Sequence, residues 1–318
     1  MDIRRCAIVD SDVRDPATED FVIETHELGK RYGEDVVAVD RLTMRVRRGE
    51  VYGFLGPNGA GKTTTLRMLL GLIRPGSGSA IVLGDPPGSP QGLARLGALV
   101  ETPAFYPFLS GRDNLRVLAR HAGVPEARIQ AVLEEVKLAG RARDRFGTYS
   151  LGMKQRLGVA AALLKDPELL ILDEPTNGMD AAGMAEMRAF IRSLGQERRT
   201  VLLSSHLMSE VEQVCDRVGV IRTGKLVGEG TLDELRGRTR LRVRAEPLEA
   251  AERVVATLRP VEQVAIVDGS LLITVDPGAA ATINRELVEG GIAVSELGPE
   301  RASLEKIFLE LTQGAEAA

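Results

Sequence analysis

The chain has 318 residues, 41 Lys and Arg against 45 Asp and Glu for a formal charge of −4, and side chains that are 44% hydrophobic but only 3% aromatic. At roughly 100–200 residues per domain, this length suggests two domains. With no basic excess, and with four Tyr, seven Phe and no Trp, it lacks the cation surplus and the stacking platforms that nucleic-acid binding uses, so no nucleic acid is expected as a partner.

Residues 1–20 are acidic, polar and Pro-containing and read as a disordered N-terminal arm. They hold no apolar stretch of the roughly 7–15 residues a signal peptide needs, and none is expected. Strand patterns at Phe21–Leu28 and Leu42–Glu50, the latter turning at Arg48-Gly49, lead into the apolar strand Glu50–Gly56. A glycine-rich turn follows, then a helix over Thr63–Ile73 that stops before Pro75-Gly76. From Ser110 to Leu164 the pattern is helical, with apolar residues at 3–4 spacing: Leu115, Leu118 and Ala122, then Ile129, Val132, Leu133 and Val136. Strand signals return at Glu168–Asp173 and Thr200–Ser205, separated by a helix over Ala181–Gly195, and a hairpin over Val218–Gly230 turns at Thr223-Gly224. Strand–helix alternation around apolar central strands predicts an α/β fold with a parallel sheet and an inserted helical layer at about 110–164.

After Leu235 the texture changes. Strands from Leu241, at Val264–Gly269, Leu271–Asp276 and Ile292–Gly298, with helices at Glu249–Arg259, Ala280–Gly291 and Ser303–Gln313, predict a small α+β domain over about 238–315. The alternating Arg236, Arg238, Arg240, Arg242 and Arg244 are either a partner-binding stripe or the solvated face of a strand whose other face is Leu241 and Val243. Cys6 and Cys215 have no metal-site spacing and are expected to be reduced thiols. The longest apolar runs, such as Val159–Leu164, fall well short of the ~18 residues that cross a bilayer, so any membrane-spanning part must come from another chain.

The strongest chemical signal is Gly56-Pro57-Asn58-Gly59-Ala60-Gly61-Lys62-Thr63, a full match to the phosphate-loop pattern G-x-x-x-x-G-K-[ST], set between an apolar strand and a helix. The glycines let successive N–H groups turn inward onto phosphate oxygens, and the helix N-terminus adds partial positive charge. Lys62 is expected at the β- and γ-phosphates, the Thr63 hydroxyl on Mg²⁺, and Thr64 nearby. Asp173 and Glu174 end a buried strand, where a Walker-B pair stands. On their own they read more often as a helix-capping pair; with a phosphate loop upstream that order reverses, and Asp173 is expected to hold Mg²⁺ and Glu174 to activate water. None of the four asparagines (Asn58, Asn114, Asn177, Asn284) is followed by lysine, which removes the guanine-reading motif of GTPases and favours ATP.

These motifs and their order resemble the nucleotide-binding subunit of an ABC transporter, over about residues 21–235. Tyr149-Ser150-Leu151-Gly152-Met153 resembles the ABC signature, with Ser150 and Gly152 at its phosphate-contacting positions; Ser150 also suits a helix N-cap. Asn177-Gly178-Met179-Asp180 resembles the D-loop, His206 matches the switch histidine at the γ-phosphate, and Tyr32 the aromatic that stacks on adenine. His26 and His121 have no such setting. The resemblance implies a P-loop NTPase (RecA-like) core with an N-terminal antiparallel β subdomain, an inserted helical subdomain and a C-terminal regulatory or dimerisation domain. It further implies an ATP- and Mg²⁺-dependent ATPase that forms a homodimer, each Ser150 turn closing the site of the other copy. Its other expected partner is a separate transmembrane permease, at the cytoplasmic face of the cell membrane.

The sequence departs from the family pattern at two places. The Q-loop glutamine is replaced by Glu101, a further candidate Mg²⁺ ligand whose negative charge weakens or delays closure around a triphosphate unless a cation compensates. The signature has Tyr149, Leu151 and Met153 for its usual leucine, glycine and glutamine. Together with Val100-Glu101-Thr102-Pro103, that form resembles a branch of bacterial exporters of peptide and polyketide antibiotics. Phe105, Tyr106 and Phe108 follow the Q-loop position and serve either as anchors for a permease helix or as a seal between helical layer and sheet. A soluble ABC ATPase acting on ribosomes or DNA is the alternative; one cassette, no heptad array and no basic excess weigh against it.

Overall fold

The computed structural model describes residues 21–300 except 197–198, 237–239 and 260. The expected arm at 1–20 and the final helix at 303–313 lie outside the described residues. The chain divides into two compact units between Glu229 and Gly230.

In chain order the first unit runs β1 (Phe21–Tyr32), β2 (Val36–Leu42), β3 (Arg45–Arg47), β4 (Val51–Leu55), α1 (Lys62–Leu69), β5 (Ser77–Val82), α2 (Pro90–Ala94), β6 (Leu96–Leu99), α3 (Gly111–His121), α4 (Ala127–Glu135), α5 (Leu151–Leu163), β7 (Leu169–Asp173), α6 (Ala181–Gln196), β8 (Thr200–Ser205), α7 (Met208–Val214) and β9 (Arg217–Arg222), and β10 (Lys225–Thr231) leads out of it. The central sheet has the order β10-β9-β4-β8-β7-β6. Its strands from β9 to β6 pair in parallel, Phe54 facing Ser204 and Gly219, and Asp173 facing Ser204. Every residue of β4, β7 and β8 is buried. Burial on both faces is why these segments read as unbroken apolar runs instead of alternating ones. Parallel pairing also sets the C-terminal ends of β4, β6, β7 and β8 along one edge, where α/β sheets bind ligands.

The antiparallel subdomain is a second sheet, β2-β1-β3, with β5 also on β1. The strand expected over Leu42–Glu50 is split: β2 ends at Leu42 and β3 holds only Arg45–Arg47, before a turn at Gly49 with φ 78°. Strand β5 gave no sequence signal because it is almost wholly exposed and carries no apolar period. The helical layer forms as α3, α4 and α5, with Leu115, Ile129, Val132, Leu133 and Val136 buried. Two expected members of that stripe point outward: Leu118 is 38% exposed, and Ala122 is exposed. Ser110 caps α3 by accepting the Asp113 N–H, and Ser150 caps α5 by accepting that of Met153.

The second unit contains α8 (Leu232–Arg236), β11 (Arg240–Glu246), α9 (Leu248–Ala256), β12 (Val261–Val267), β13 (Ser270–Val275), α10 (Ala280–Glu289) and β14 (Ala293–Glu300). Sheet order β12-β13-β11-β14 with antiparallel pairing makes a βαββαβ unit of the ferredoxin-like type. Leu241, Val243, Leu271 and Ile273 meet Val255 of α9 and Ile283 of α10 in its core. Of the arginine stripe, Arg240, Arg242 and Arg244 form the opposite, solvated face of β11, whereas Arg236 ends α8. Arg242 donates to Glu300 at 2.6 Å, and Arg244 lies 3.6 Å from Glu296. Arg238 lies outside the described residues.

Candidate nucleotide site

The loop Gly56–Gly61 leaves β4 and enters α1. Gly61, at φ 106°, is the α1 N-cap, and a Cβ there would stand 2.3 Å from the Ala38 carbonyl oxygen. A Cβ on Gly56 would stand 2.4 Å from that of Ile221. Both positions therefore require glycine. Gly61 offers no capping side chain and the first turn of α1 carries no acid, so its N–H groups and dipole are left facing an anion position. Pro57, Asn58 and Gly59 are exposed along the loop, Ala60 is buried, and Thr64 is half-buried. The Lys62 ammonium folds inside the loop, donating to the Gly56 and Pro57 carbonyls at 2.7 and 3.2 Å and standing 3.2 Å from Glu174 Oε1.

The end of β7 brings the acids in. Asp173 is buried; its Oδ2 accepts from Thr63 Oγ1 at 2.8 Å, and its Oδ1 accepts from Ser204 Oγ. Glu174 takes φ 47°, a left-handed conformation that costs a non-glycine residue ~1–3 kcal/mol. Its amide is fixed by the Ser204 carbonyl at 3.2 Å and the Ser204 hydroxyl at 3.1 Å. So turned, its carboxylate touches Lys62 on one side and His206 Nδ1, at 2.8 Å, on the other. Five sequence-predicted residues, Lys62, Thr63, Asp173, Glu174 and His206, thus meet in one cluster.

Ser204 is the residue sequence reasoning missed. The signal was present: a polar pair, Ser204-Ser205, follows the apolar run Val201–Leu203 at the end of a fully buried strand. Glu210 was missed as well. Its buried carboxylate accepts from Thr176 Oγ1 at 2.8 Å and Ser205 Oγ at 3.0 Å, tying the chain after β7 to the end of β8.

Glu101 stands beyond the end of β6, and its carboxylate meets the Arg67 guanidinium of α1. The compensating cation that the sequence reading asked for is therefore present. Ser150 and Gly152 lie at the start of α5 with Leu151 43% exposed, and Gly178 of the D-loop packs so closely that a Cβ on it would meet Leu151 Cδ2 at 2.2 Å. Asp180 Oδ1 accepts the Gly183 N–H at 2.9 Å. Among the described residues no hydrogen bond or ion pair joins Ser150, Gly152 or Asp180 to the Lys62 cluster. Tyr32 is 42% exposed at the tip of the β1–β2 hairpin, 5.6 Å below the Lys30 ammonium. The aromatic trio splits: Phe105 packs edge-on against Phe146 at 5.1 Å, whereas Tyr106 and Phe108 are 54% and 67% exposed. Cys215 is buried, and burial raises its thiol pKa, which keeps it protonated and inert.

The donor set suits a hard divalent cation. Mg²⁺ takes oxygen ligands at 2.0–2.1 Å in an octahedron, so two neighbouring ligands stand about 2.9 Å apart. Thr63 Oγ1 and Asp173 Oδ2 are 2.8 Å apart. Mg²⁺ usually takes one or two protein oxygens and completes its shell with phosphates and water, and Thr63 with Asp173 would supply two.

Fold and site together define a P-loop ATPase. The family model described as ABC transporter matches residues 39–177. The chain is 43% identical over 304 residues to the bacitracin transport ATP-binding protein BcrA of Bacillus licheniformis, covering 92% of this chain and 98% of that one. It is 41% identical over 212 residues to the lantibiotic transport ATP-binding protein SrtF of Streptococcus pyogenes, covering 67% and 92%. A solved ATP-binding subunit of an ABC transporter superposes with a TM-score of 0.61 at 29% identity, over 68% of this chain and 92% of the other. This chain belongs to the ATP-binding subunits of ABC transporters, the ATP-hydrolysing subunits that couple energy to transport.

Proposed function

We propose that this chain drives export of a peptide antibiotic, as a homodimer bound to a separate transmembrane permease at the cytoplasmic face of the membrane. The observation that carries the reading is the 43% identity to the bacitracin transport protein across 92% of the chain, second unit included. No helix among the described residues is long and apolar enough to cross a membrane, in keeping with a spanning partner.

In this reading the amides of Gly59–Lys62 and the α1 N-terminus receive the phosphates, and the Lys62 ammonium exchanges its loop carbonyls for phosphate oxygens. Tyr32 stacks on the adenine. Thr63 and Asp173 would hold Mg²⁺, which would neutralise charge on the phosphates, while Glu101 stays paired with Arg67 at the rim and outside the metal shell. Glu174 accepts a proton from the attacking water. His206, already hydrogen-bonded to Glu174, orients that carboxylate and donates toward the γ-phosphate. Ser150, Gly152 and Asp180 complete the site of the other copy, which is why they stand apart from their own Lys62 cluster. Closure then depends on the difference in affinity for ATP and ADP.

The permease docks where apolar surface is left open beside the Q-loop position. Tyr106 and Phe108 supply exposed rings, and a groove of about 450 Å³ that reaches Val100, next to the Q-loop position, is lined by Leu72, Leu93, Val100, Leu118 and Ala161. The outward turn of Leu118 is explained by this role. The ferredoxin-like unit serves as a dimerising or regulating module. Glu174→Gln is the test: with Mg²⁺ and ATP it accumulates as a dimer on gel filtration, and a chain that remains monomeric under those conditions overturns the head-to-tail arrangement.

A further inference from the structure

Glu101 brings a third carboxylate toward a site that already holds Asp173 and Glu174 and must accept a triphosphate. Two observations describe how the fold accommodates it. Glu101 takes φ 63°, a left-handed turn that redirects the chain just past β6. Its carboxylate then closes an ion pair with Arg67, in the second turn of the helix that opens at Lys62. Arg67 is four residues beyond Thr63, and residues at that spacing share one face of a helix. The pair therefore lies on the side of α1 that carries the Thr63 hydroxyl, one turn below the Thr63–Asp173 oxygens.

We propose that Arg67 is a positioning residue for the ATP site: it neutralises Glu101 and holds that carboxylate at the edge of the metal-binding oxygens, so that triphosphate and Mg²⁺ bind without like-charge repulsion. The proposal rests on the reading of Gly56–Thr63 as the ATP site. A lysine at 67 keeps the charge but not the planar, forked set of donors that matches a carboxylate, so it preserves neutralisation and loosens geometry.

The test measures ATP affinity of the full chain by titration calorimetry with Mg²⁺ present, for wild type, Arg67→Ala, Arg67→Lys and the double variant Arg67→Ala/Glu101→Gln. Removing the cation alone weakens ATP binding about tenfold, the size of one partly screened unit-charge repulsion. Removing both charges restores affinity to within about twofold, and Arg67→Lys stays within about threefold of wild type. Rescue by the second substitution is what a merely structural arginine, or one that grips phosphate directly, does not give. Equal loss in the single and double variants overturns the proposal, as does an Arg67→Ala chain that binds like wild type. Thermal melts without nucleotide identify a variant that fails to fold, and the Arg67→Lys arm then decides. A wild-type chain that binds no ATP refutes the site assignment itself, a result distinct from either.

Discussion

Ser204→Ala removes one oxygen and disturbs two acids. The Ser204 hydroxyl donates to buried Asp173 and accepts the Glu174 amide at 3.1 Å. The first of these is a hydrogen bond to a charged group in a fully buried place, worth about 1.5–3 kcal/mol when broken. The second is partly covered, because the Ser204 carbonyl also reaches the Glu174 amide at 3.2 Å. Taking about 2 kcal/mol in all, and 2–4 °C per kcal/mol for a unit of about 200 residues, the melting midpoint falls roughly 4–8 °C. Function falls further than stability, since Asp173 keeps only Thr63 to orient it and Glu174 loses one restraint on a left-handed turn. Supports of this kind around metal ligands cost about 10–100-fold when removed. The assay pairs a nucleotide-free thermal melt with ATP turnover titrated in Mg²⁺, where the half-saturating Mg²⁺ concentration rises. A midpoint within about 1 °C of wild type together with unchanged Mg²⁺ dependence refutes the role given to this hydroxyl.

Three further expectations follow from other parts of the molecule. Glu101→Gln removes a negative charge and leaves Arg67 in place, so steady-state ATP turnover is equal or faster; a loss of about a hundredfold identifies the carboxylate as an obligatory ligand instead. Tyr106→Ala with Phe108→Ala leaves the melting midpoint unchanged, because both rings are more than half exposed, yet reduces recovery of the chain with membranes of cells expressing its permease; undiminished recovery moves the docking surface elsewhere. Glu168 accepts from Arg95 at 2.6 and 2.9 Å and from Arg48 at 2.8 Å, and these bonds hold its pKa down at about 2. A lowered carboxyl pKa contributes stability that is complete above the unfolded value near 4.5 and is lost as pH falls toward 2. The side chain is 42% exposed, so screening keeps this below about 1 kcal/mol. Arg95→Ala accordingly lowers stability at pH 7 and flattens the acid limb between pH 4.5 and 2; an unaltered acid limb shows that the pair contributes nothing.

How far the sequence reaches depends on the kind of signal each part leaves. The phosphate loop is legible because backbone shape, glycine and a cation must occur together within eight residues. The strands β4, β7 and β8 are legible because burial on both faces favours near-continuous apolar runs, such as Leu169–Leu172 and Val201–Leu203. Strand β5 leaves no trace, since pairing with β1 depends on main-chain groups and, Ala80 and Val82 apart, its residues are exposed. The second unit shows a limit of another kind. From β11 onward each of its described helices and strands has a local pattern, yet nothing local says that β11 lies between β13 and β14; that order follows from crossovers that bury α9 and α10 on one face of the sheet.

The Lys62 cluster shows why roles are harder to read than elements. Ser204 and Glu174 are thirty residues apart, and only parallel pairing of β7 with β8 sets Asp173 beside Ser204. Arg67 and Glu101 are separated by thirty-four residues and join because β6 ends beside α1. Both pairs connect a motif residue to one that belongs to no motif, and both act by controlling charge. The acids end the strand at Asp173-Glu174, where their charges lie close together, and the fold answers with a hydroxyl, an ammonium and an imidazole. At Glu101 it answers with a guanidinium. Removing the answering group while its carboxylate stays therefore costs more than removing both, and measuring single against double variants at these two places separates a site assembled by charge from one that only preserves shape.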